Sequence, residues 1–370
     1  MIEVIQSWLN SGQAVAVAGM ILRPRAGGDT ALTPVVIESR DAFVCFLIDD
    51  NANGWVLKRF CPGCEPDANY LEAIETLVPR KPGFESGFGR RVVKISSISP
   101  DGYCTQEFQN SLNGAVLMPQ VISPTWAELL DSIREGSRSL SRVERLLLCQ
   151  KLSQAVDWLE STGIAHRDLS DGNVMIDPIN IEVHLVDWDG LYHRGLAMPA
   201  NTSCGSRGYL APFVKLNGPA EGDLTWRDKA DRFALAALNS ELLLMREGLP
   251  RVGGHGLFDQ DDINNRSGKT VIEVRNGLRY TFPAASQLLE AALTARSFEE
   301  CPGPLDWIDF ATRQLDNNSE SIWGEGASPD EETQSIYDAP YQPHFVEINR
   351  TAFVQLNREA FVRLLQRRRH

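Results

Sequence analysis

The sequence predicts an α+β protein of two unequal lobes, a small strand-rich part followed by a larger helical one. Three observations carry that prediction. Runs rich in β-branched and aromatic residues, separated by turn signals, fill the stretch from "TPVVIES" to "GWVLKRF". From about residue 124 the apolar residues recur at helical rather than strand spacing. A polar loop, "AHRDLSDGN", stands between a long helical run and two short strands, "NVMID" and "VHLVDWD".

In chain order, "TPVVIES", "AFVCFLID" and "GWVLKRF" are the first strands, with "DNANG" a strong hairpin signal between the last two. "DANYLEAIETLV" places Leu71, Ile74, Leu77 and Val78 on one helical face, and "PRKPG" stops it. "RVVKISS" and "GAVLMPQVI" read as two further strands. "SRVERLLLCQKLSQAVDWLESTG" is a helix with Val143, Leu146, Leu147, Leu152, Val156 and Leu159 at its spacing, Ser141 as N-cap and Gly163 just past its end. "DRFALAALNSELLLM" is apolar nearly all round, which predicts a buried central helix. "AASQLLEAALTA" and "PLDWIDFATRQL" are helical. The acidic stretch from residue 316 reads as a loose linker, and "NRTAFVQLNREAFVRLLQ" as a terminal amphipathic helix.

Composition excludes several classes. The chain has 370 residues, 43% of them hydrophobic and 23% charged, which is ordinary for a soluble globular protein. A net charge of −13 argues against nucleic acid or an anionic membrane as main partner. The start, "MIEVIQSWLNSG", has no basic run leading into an apolar core, and "AVAVAGMIL" is too short to span a bilayer, so a cytoplasmic location is expected. Seven scattered cysteines suit reduced thiols, and the lone "CPGC" of Cys61 and Cys64 reads as a loop.

The chemistry lies in the polar loop. Asp168 is followed five positions later by Asn173, and the next strand ends in Asp187. Moving a γ-phosphoryl group requires oxygen ligands that grip Mg²⁺ while another carboxylate faces the acceptor hydroxyl. Asp168 would take or orient the acceptor proton, and Asn173 and Asp187 would hold metal. His166 reads as structural, Asp171 as a solvated turn residue, and Arg167 as partner of a carboxylate rather than of a phosphate near Thr202, Ser203 or Ser206.

With these fragments in this order the chain resembles a eukaryotic-like Ser/Thr protein kinase over roughly residues 35–315, of the atypical, bacterial kind with degenerate nucleotide loops. The resemblance implies a bilobal kinase-like fold, ATP with Mg²⁺ (or Mn²⁺), and a protein substrate. It implies that Lys58 of "WVLKRF" binds the α- and β-phosphates and pairs with an acid of the next helix, taken as Glu75. Met118 falls near the gatekeeper of the hinge, "GSRGYLAP" at the end of the activation segment, and Asp231 where the central helix holds the catalytic-loop backbone. The implied organisation is an N-terminal extension (1–34), an N-lobe (35–120), a C-lobe (121–315), an acidic linker (316–342) and a C-terminal helix (343–370) that packs on its own domain or docks a partner.

The chain also departs from the family. The hairpin "VVIESRDAFVCF" contains no glycine, so Ser39 and Arg40 would have to cover the phosphates, or the hairpin has no nucleotide role. Ser170 replaces a lysine, as in small-molecule kinases of the aminoglycoside and choline kinase type. Phe213 and Cys301 stand where an ion pair is usual; both charges are gone together, which marks a repacked joint rather than decay. With Lys58, Asp168, Asn173 and Asp187 all present, an active protein kinase is expected over a small-molecule kinase or a non-catalytic pseudokinase. Side chains such as Phe43 must then leave the cleft open.

Overall fold

The computed structural model describes residues 2–25, 36–38, 41–102, 105–199, 205–214, 224–245 and 256–322. Ser39, Arg40, Thr202, Ser203, most of the acidic stretch and the C-terminal helix lie outside them.

Period-two alternation builds the first lobe around one sheet. Its strands run β6 (Arg91–Val92), β8 (Val116–Pro119), β5 (Gly54–Phe60), β4 (Ala42–Asp49), β2 (Met20–Pro24), β1 (Val15–Val17) and β7 (Ile98–Gly102), with β3 (Val36–Glu38) also paired to β4. β4 and β5 form the expected antiparallel hairpin, with Val44 opposite Lys58. Side chains alternate across it. Phe43, Cys45, Leu47 and Leu57 enter a core on the outer face, whereas Ala42, Val56, Phe60 and Met118 face the helical lobe. Phe43 therefore points away from the cleft.

The outer core holds an element that sequence reasoning set aside. Helix α1 (Ile2–Ser11) buries Ile5, Trp8 and Leu9, and helix α4 (Gln106–Leu112) buries Phe108 and Leu112 against the same sheet face. Trp8 and Phe108 meet with ring centroids 5.2 Å apart. Because β1 and β2 are strands of the same sheet, the expected boundary after residue 34 corresponds to no break in it. Ile5→Val should cost about 1 kcal/mol, the usual effect of removing one buried methyl group. Calorimetry should show that loss within the main unfolding transition; no shift would mean that α1 is a detachable arm.

Helix α2 (Ala68–Leu77) starts at Asp67, whose carboxylate accepts from the amides of Asn69 and Tyr70. Its buried face is Tyr70, Leu71 and Ile74, with Val78 beyond its end. The short helix α3 (Glu85–Phe88) then packs under β8 and leads into β6. "RVVKISS" is strand only at Arg91–Val92 and turns through a short 3-10 helix at Ile95–Ser97.

The second lobe is helical. α5 (Trp126–Arg134) and α6 (Arg142–Ser161) each begin with a capping box, Thr125 with Glu128 and Ser141 with Glu144. Gly163 follows α6 at φ +74°, a left-handed turn that suits glycine. Of the expected α6 face, Leu146, Leu152, Val156 and Leu159 are buried but Val143 is exposed. Helix α7 (Arg232–Leu244) is buried from Phe233 to Leu244, as its all-round apolar pattern predicts. Around it pack α8 (Gln260–Asn265), α9 (Lys269–Thr281), α10 (Pro283–Thr294) and α11 (Pro304–Ile322). α11 continues to Ile322, so the stretch from 316 begins as helix rather than linker. No described helix is long and apolar enough to cross a membrane.

The helical lobe also carries a small hairpin, β10 (Val174–Asp177) with β11 (Glu182–Leu185), and a two-stranded antiparallel pair, β9 (Ile164–Ala165) with β12 (Tyr192–His193), that brackets it in the chain. Together the two lobes make the bilobal kinase-like α+β fold.

Candidate active site

Pairing Val174 with Leu185 brings the polar loop and the end of β11 together. Val186 also donates its N–H to the Asn173 carbonyl at 3.0 Å. Two residues here adopt left-handed backbone without being glycine, Arg167 at φ +70° and Asp187 at φ +66°. Each such conformation costs about 1–2 kcal/mol, so surrounding contacts must hold it. For Arg167 the holder is Asp231, at the start of α7. Its carboxylate accepts the backbone N–H of His166 at 2.6 Å and of Arg167 at 2.7 Å, the role expected of it. Burial pushes Asp231 up to about 7 against the pull of those two N–H groups.

His166 is fully buried against Trp188 and donates Nε2–H to the Val186 carbonyl, so it is structural. Burial depresses it to about 4, which keeps it neutral. The Arg167 guanidinium donates to the carbonyls of Thr225 and Gly190 and to the Thr225 hydroxyl, and it lies over the Trp226 ring. Asp171 is not a solvated turn residue: it is 5% exposed, and its carboxylate accepts the Gly256 N–H at 3.1 Å. The chain folds the loop inward there because Ala127 of α5 donates to the Asp171 carbonyl.

Four side chains converge above this base. Asp168 accepts the Ser206 hydroxyl on Oδ1 at 2.7 Å and the Asn173 amide on Oδ2 at 3.1 Å. Burial pushes Asp168 up to about 6; the Ser206 hydrogen bond opposes this, and the nearby charge of Asp187 adds to it. Lys58 reaches down from β5, placing Nζ 2.6 Å from Asp187 Oδ1 and 2.7 Å from Asp189 Oδ2. Met118, opposite Val56 on the strand beside Lys58, forms part of the roof where β8 leads towards α5. Glycine-free β3 and β4 form the expected hairpin, and its tip, Ser39 and Arg40, is outside the described residues.

Glu75 needs correction. Its Oε1 accepts the backbone N–H of Val92, while Glu72 pairs with Lys94 at 2.8 Å. Neither acid of α2 is paired with Lys58, whose carboxylate partners are Asp187 and Asp189. Asp189 is the second acid of "VHLVDWD", two residues after Asp187. Arg90, whose side chain is 1% exposed, approaches it from the other side at 2.5 Å. Burial works against the ionisation of Asp189, but Lys58 and Arg90 outweigh it and hold the carboxyl well below the usual range. Ser206 is the other residue that sequence reasoning underused; its place in "GSRGYLAP" was the available signal.

The donor set suits a small hard cation. Asn173 uses its amide N–H groups on Asp168, leaving Oδ1, and 37% of the Asp187 side-chain surface stays accessible. Oxygen ligands from adjacent strands match Mg²⁺ or Mn²⁺.

The repacked joint has a clear geometry. Phe213 meets Phe298 edge-to-face at 4.9 Å, and Cys301 is buried beside Arg232, whose guanidinium forks onto Glu160 at 2.8 Å twice. The "CPGC" loop is a turn closed by the Cys64 N–H on the Cys61 carbonyl.

Comparison with known proteins agrees with this architecture. Residues 117–293, just under half of the chain, match the family model described as protein kinase domain. The liver/testis gamma catalytic chain of mouse phosphorylase b kinase is 26% identical over 193 residues, covering 49% of this chain and 46% of that protein. A probable myosin light chain kinase of Dictyostelium discoideum is 29% identical over 138 residues, 37% of this chain and 43% of its own. Human serine/threonine-protein kinase ULK1 is 28% identical over 140 residues, 36% and 12% respectively. The fold is kinase-like, and these matches show that residues 117–293 resemble protein kinase domains. The chain spans less than half the length of these curated relatives, and the strand carrying Lys58 precedes the residues matched by the family model.

Proposed function

We propose that the chain is an ATP- and Mg²⁺-dependent phosphotransferase, an atypical Ser/Thr protein kinase that passes the γ-phosphoryl group to a protein hydroxyl. The observation that carries this reading is the convergence of Lys58, Asp168, Asn173 and Asp187 between the lobes. Lys58 binds the nucleotide's phosphates, and Asp168 accepts or orients the proton of the attacking hydroxyl. Asn173 and Asp187 hold the metal, which when bound neutralises charge on the phosphate oxygens.

A protein acceptor is favoured by Ser206. Its hydrogen bond joins the activation-segment end to Asp168, so the surface that would receive a peptide is tied to the proton acceptor. Gln260 fixes the same segment, accepting from Gly208 N–H at 2.8 Å and donating to the Leu210 carbonyl at 3.0 Å. Ser170, which pointed towards a small-molecule acceptor, is only 4% exposed, and its carbonyl accepts the amides of Asn173 and Val174. Its role in the loop is structural. A cytoplasmic site of action, phosphate cover by Ser39 and Arg40, and partner docking through the C-terminal helix complete the proposal.

Transfer of label from γ-labelled ATP with Mg²⁺ should appear on the chain or on a basic acceptor protein. It should fall at least about tenfold in Asp187→Asn, which loses a charged metal ligand. Equal background in both proteins rejects the reading. Label on amino alcohols or aminoglycosides, with none on proteins, would move the assignment to a small-molecule kinase.

A further inference from the structure

The buried cation Arg90 has no task in the mechanism above, yet it touches the site. Its NH2 lies 2.5 Å from Asp189 Oδ1, and its NH1 donates to the Leu71 carbonyl of α2 at 2.8 Å. Asp189 turns its other oxygen to Lys58 Nζ at 2.7 Å. Its backbone is fixed by the preceding residue: Trp188 is 1% exposed, packs on Phe84 and His166, and donates its indole N–H to Ser86. At Gly87 an added Cβ would lie 2.7 Å from the Trp188 indole nitrogen, so the chain passes there with no side chain to spare. Two cations and two carboxylates, Asp187 being the second, thus form one balanced network, and the acids of α2 take no part in it.

We infer that Asp189, oriented by Arg90, is the residue that positions Lys58 for the nucleotide, in place of an acid on α2. This rests on the kinase reading above. A lysine amine with four rotatable bonds needs a fixed carboxylate to hold its reach, and a carboxylate whose far oxygen is gripped by a buried guanidinium is such an anchor. Helix α2 acts on the site only indirectly, because its Leu71 carbonyl sets Arg90. The exposed face of Asp187 remains free for metal.

The test measures Mg·ATP titrations and steady-state kinetics for the unmodified chain, Asp189→Asn, Glu75→Gln and the double variant Arg90→Met/Asp189→Asn. The double variant neutralises both buried partners, so no unpaired charge is left to unfold the protein. Loss of one charge-assisted contact to Lys58 should raise the ATP KM roughly tenfold or more in Asp189→Asn and in the double variant. The KM for the acceptor protein should stay within about twofold, a split that a general loss of structure does not produce. Glu75→Gln, which keeps an oxygen for Val92, should match the unmodified chain. An unchanged ATP KM in the double variant, or an equal rise in Glu75→Gln, overturns the inference alone. An unmodified chain that binds no Mg·ATP overturns the kinase reading and this inference with it.

Discussion

Asp168→Asn should lower kcat by about 10²–10⁴-fold while leaving nucleotide affinity within about threefold. The substitution keeps the volume, and its amide oxygen can still accept from Ser206 or Asn173, so the loop has no steric reason to move. What disappears is an oxygen able to take the acceptor's proton. Lys58 and Asp187 are untouched, which is why binding should survive. The pH profile gives an independent reading of the same residue. Burial raises Asp168 to about 6, so its protonated form persists further into the acid-to-neutral range than an ordinary carboxyl's does. The ionised form is the active one; kcat/KM should therefore climb about tenfold per pH unit below about 6 and level off above it. Ser206→Ala removes a hydrogen bond that holds Asp168 down, so the inflection should move to higher pH. A profile flat to pH 5, or an Asn variant retaining more than a tenth of the rate, would remove Asp168 from the chemistry.

What the sequence disclosed and what it hid divide along physical lines. Residues whose roles are set by short chain separation were legible. Asp168, Asn173 and Asp187 lie on one loop and one hairpin, so pattern placed them together, while Asp231, at the start of a helix apolar enough to be central, came from the family resemblance. Partnerships across long separations were not. Lys58 and Asp187 are 129 positions apart, Arg90 and Asp189 99, and nothing local in "GFGRRVVK" says that the first arginine is buried. Glu75 was taken as the lysine's partner from its place on the next helix, but nothing local shows that its carboxylate accepts the Val92 N–H instead. α1 was missed for a related reason. Its stripe of Ile5, Trp8 and Leu9 is short, and its partner α4 follows only a hundred residues later, so neither could be recognised as half of a core. Asp171 shows the opposite error: a polar residue in "SDGN" was assigned to solvent by type, when a glycine amide 85 residues away was there to pair with it.

Glu241→Ala should be the most damaging single change to stability, costing about 3–5 kcal/mol. Glu241 sits in the last turn of the buried helix α7 with no exposed surface, and both oxygens are engaged. Oε2 accepts the Trp126 indole N–H at 2.7 Å and the Tyr209 hydroxyl at 3.1 Å, and Oε1 accepts the Leu257 N–H at 2.6 Å. These donors come from α5, from the end of the activation segment and from the chain entering α8, so one carboxylate joins four parts of the lobe. Alanine would leave three donors in a dry interior, each worth about 1–3 kcal/mol when unpaired, with losses that overlap because they share one site. Solvent cannot easily enter to repair them. The chain at Gly256 passes so close that a Cβ there would lie 2.0 Å from Glu241 Oε1, and its φ of +49° already restricts the position to glycine-like residues. Glu241→Gln should be milder, since its amide oxygen still accepts, but its NH₂ must face a donor and cannot satisfy all three. At roughly 2–4 °C per kcal/mol, the Ala variant should melt on the order of 10 °C below the unmodified chain, with Gln between them. Asp168→Asn, which leaves these contacts intact, should melt close to the unmodified protein. An Ala variant within about 2 °C of it would mean that water or a neighbouring side chain reaches the vacated oxygens, and that the three donors do not depend on Glu241.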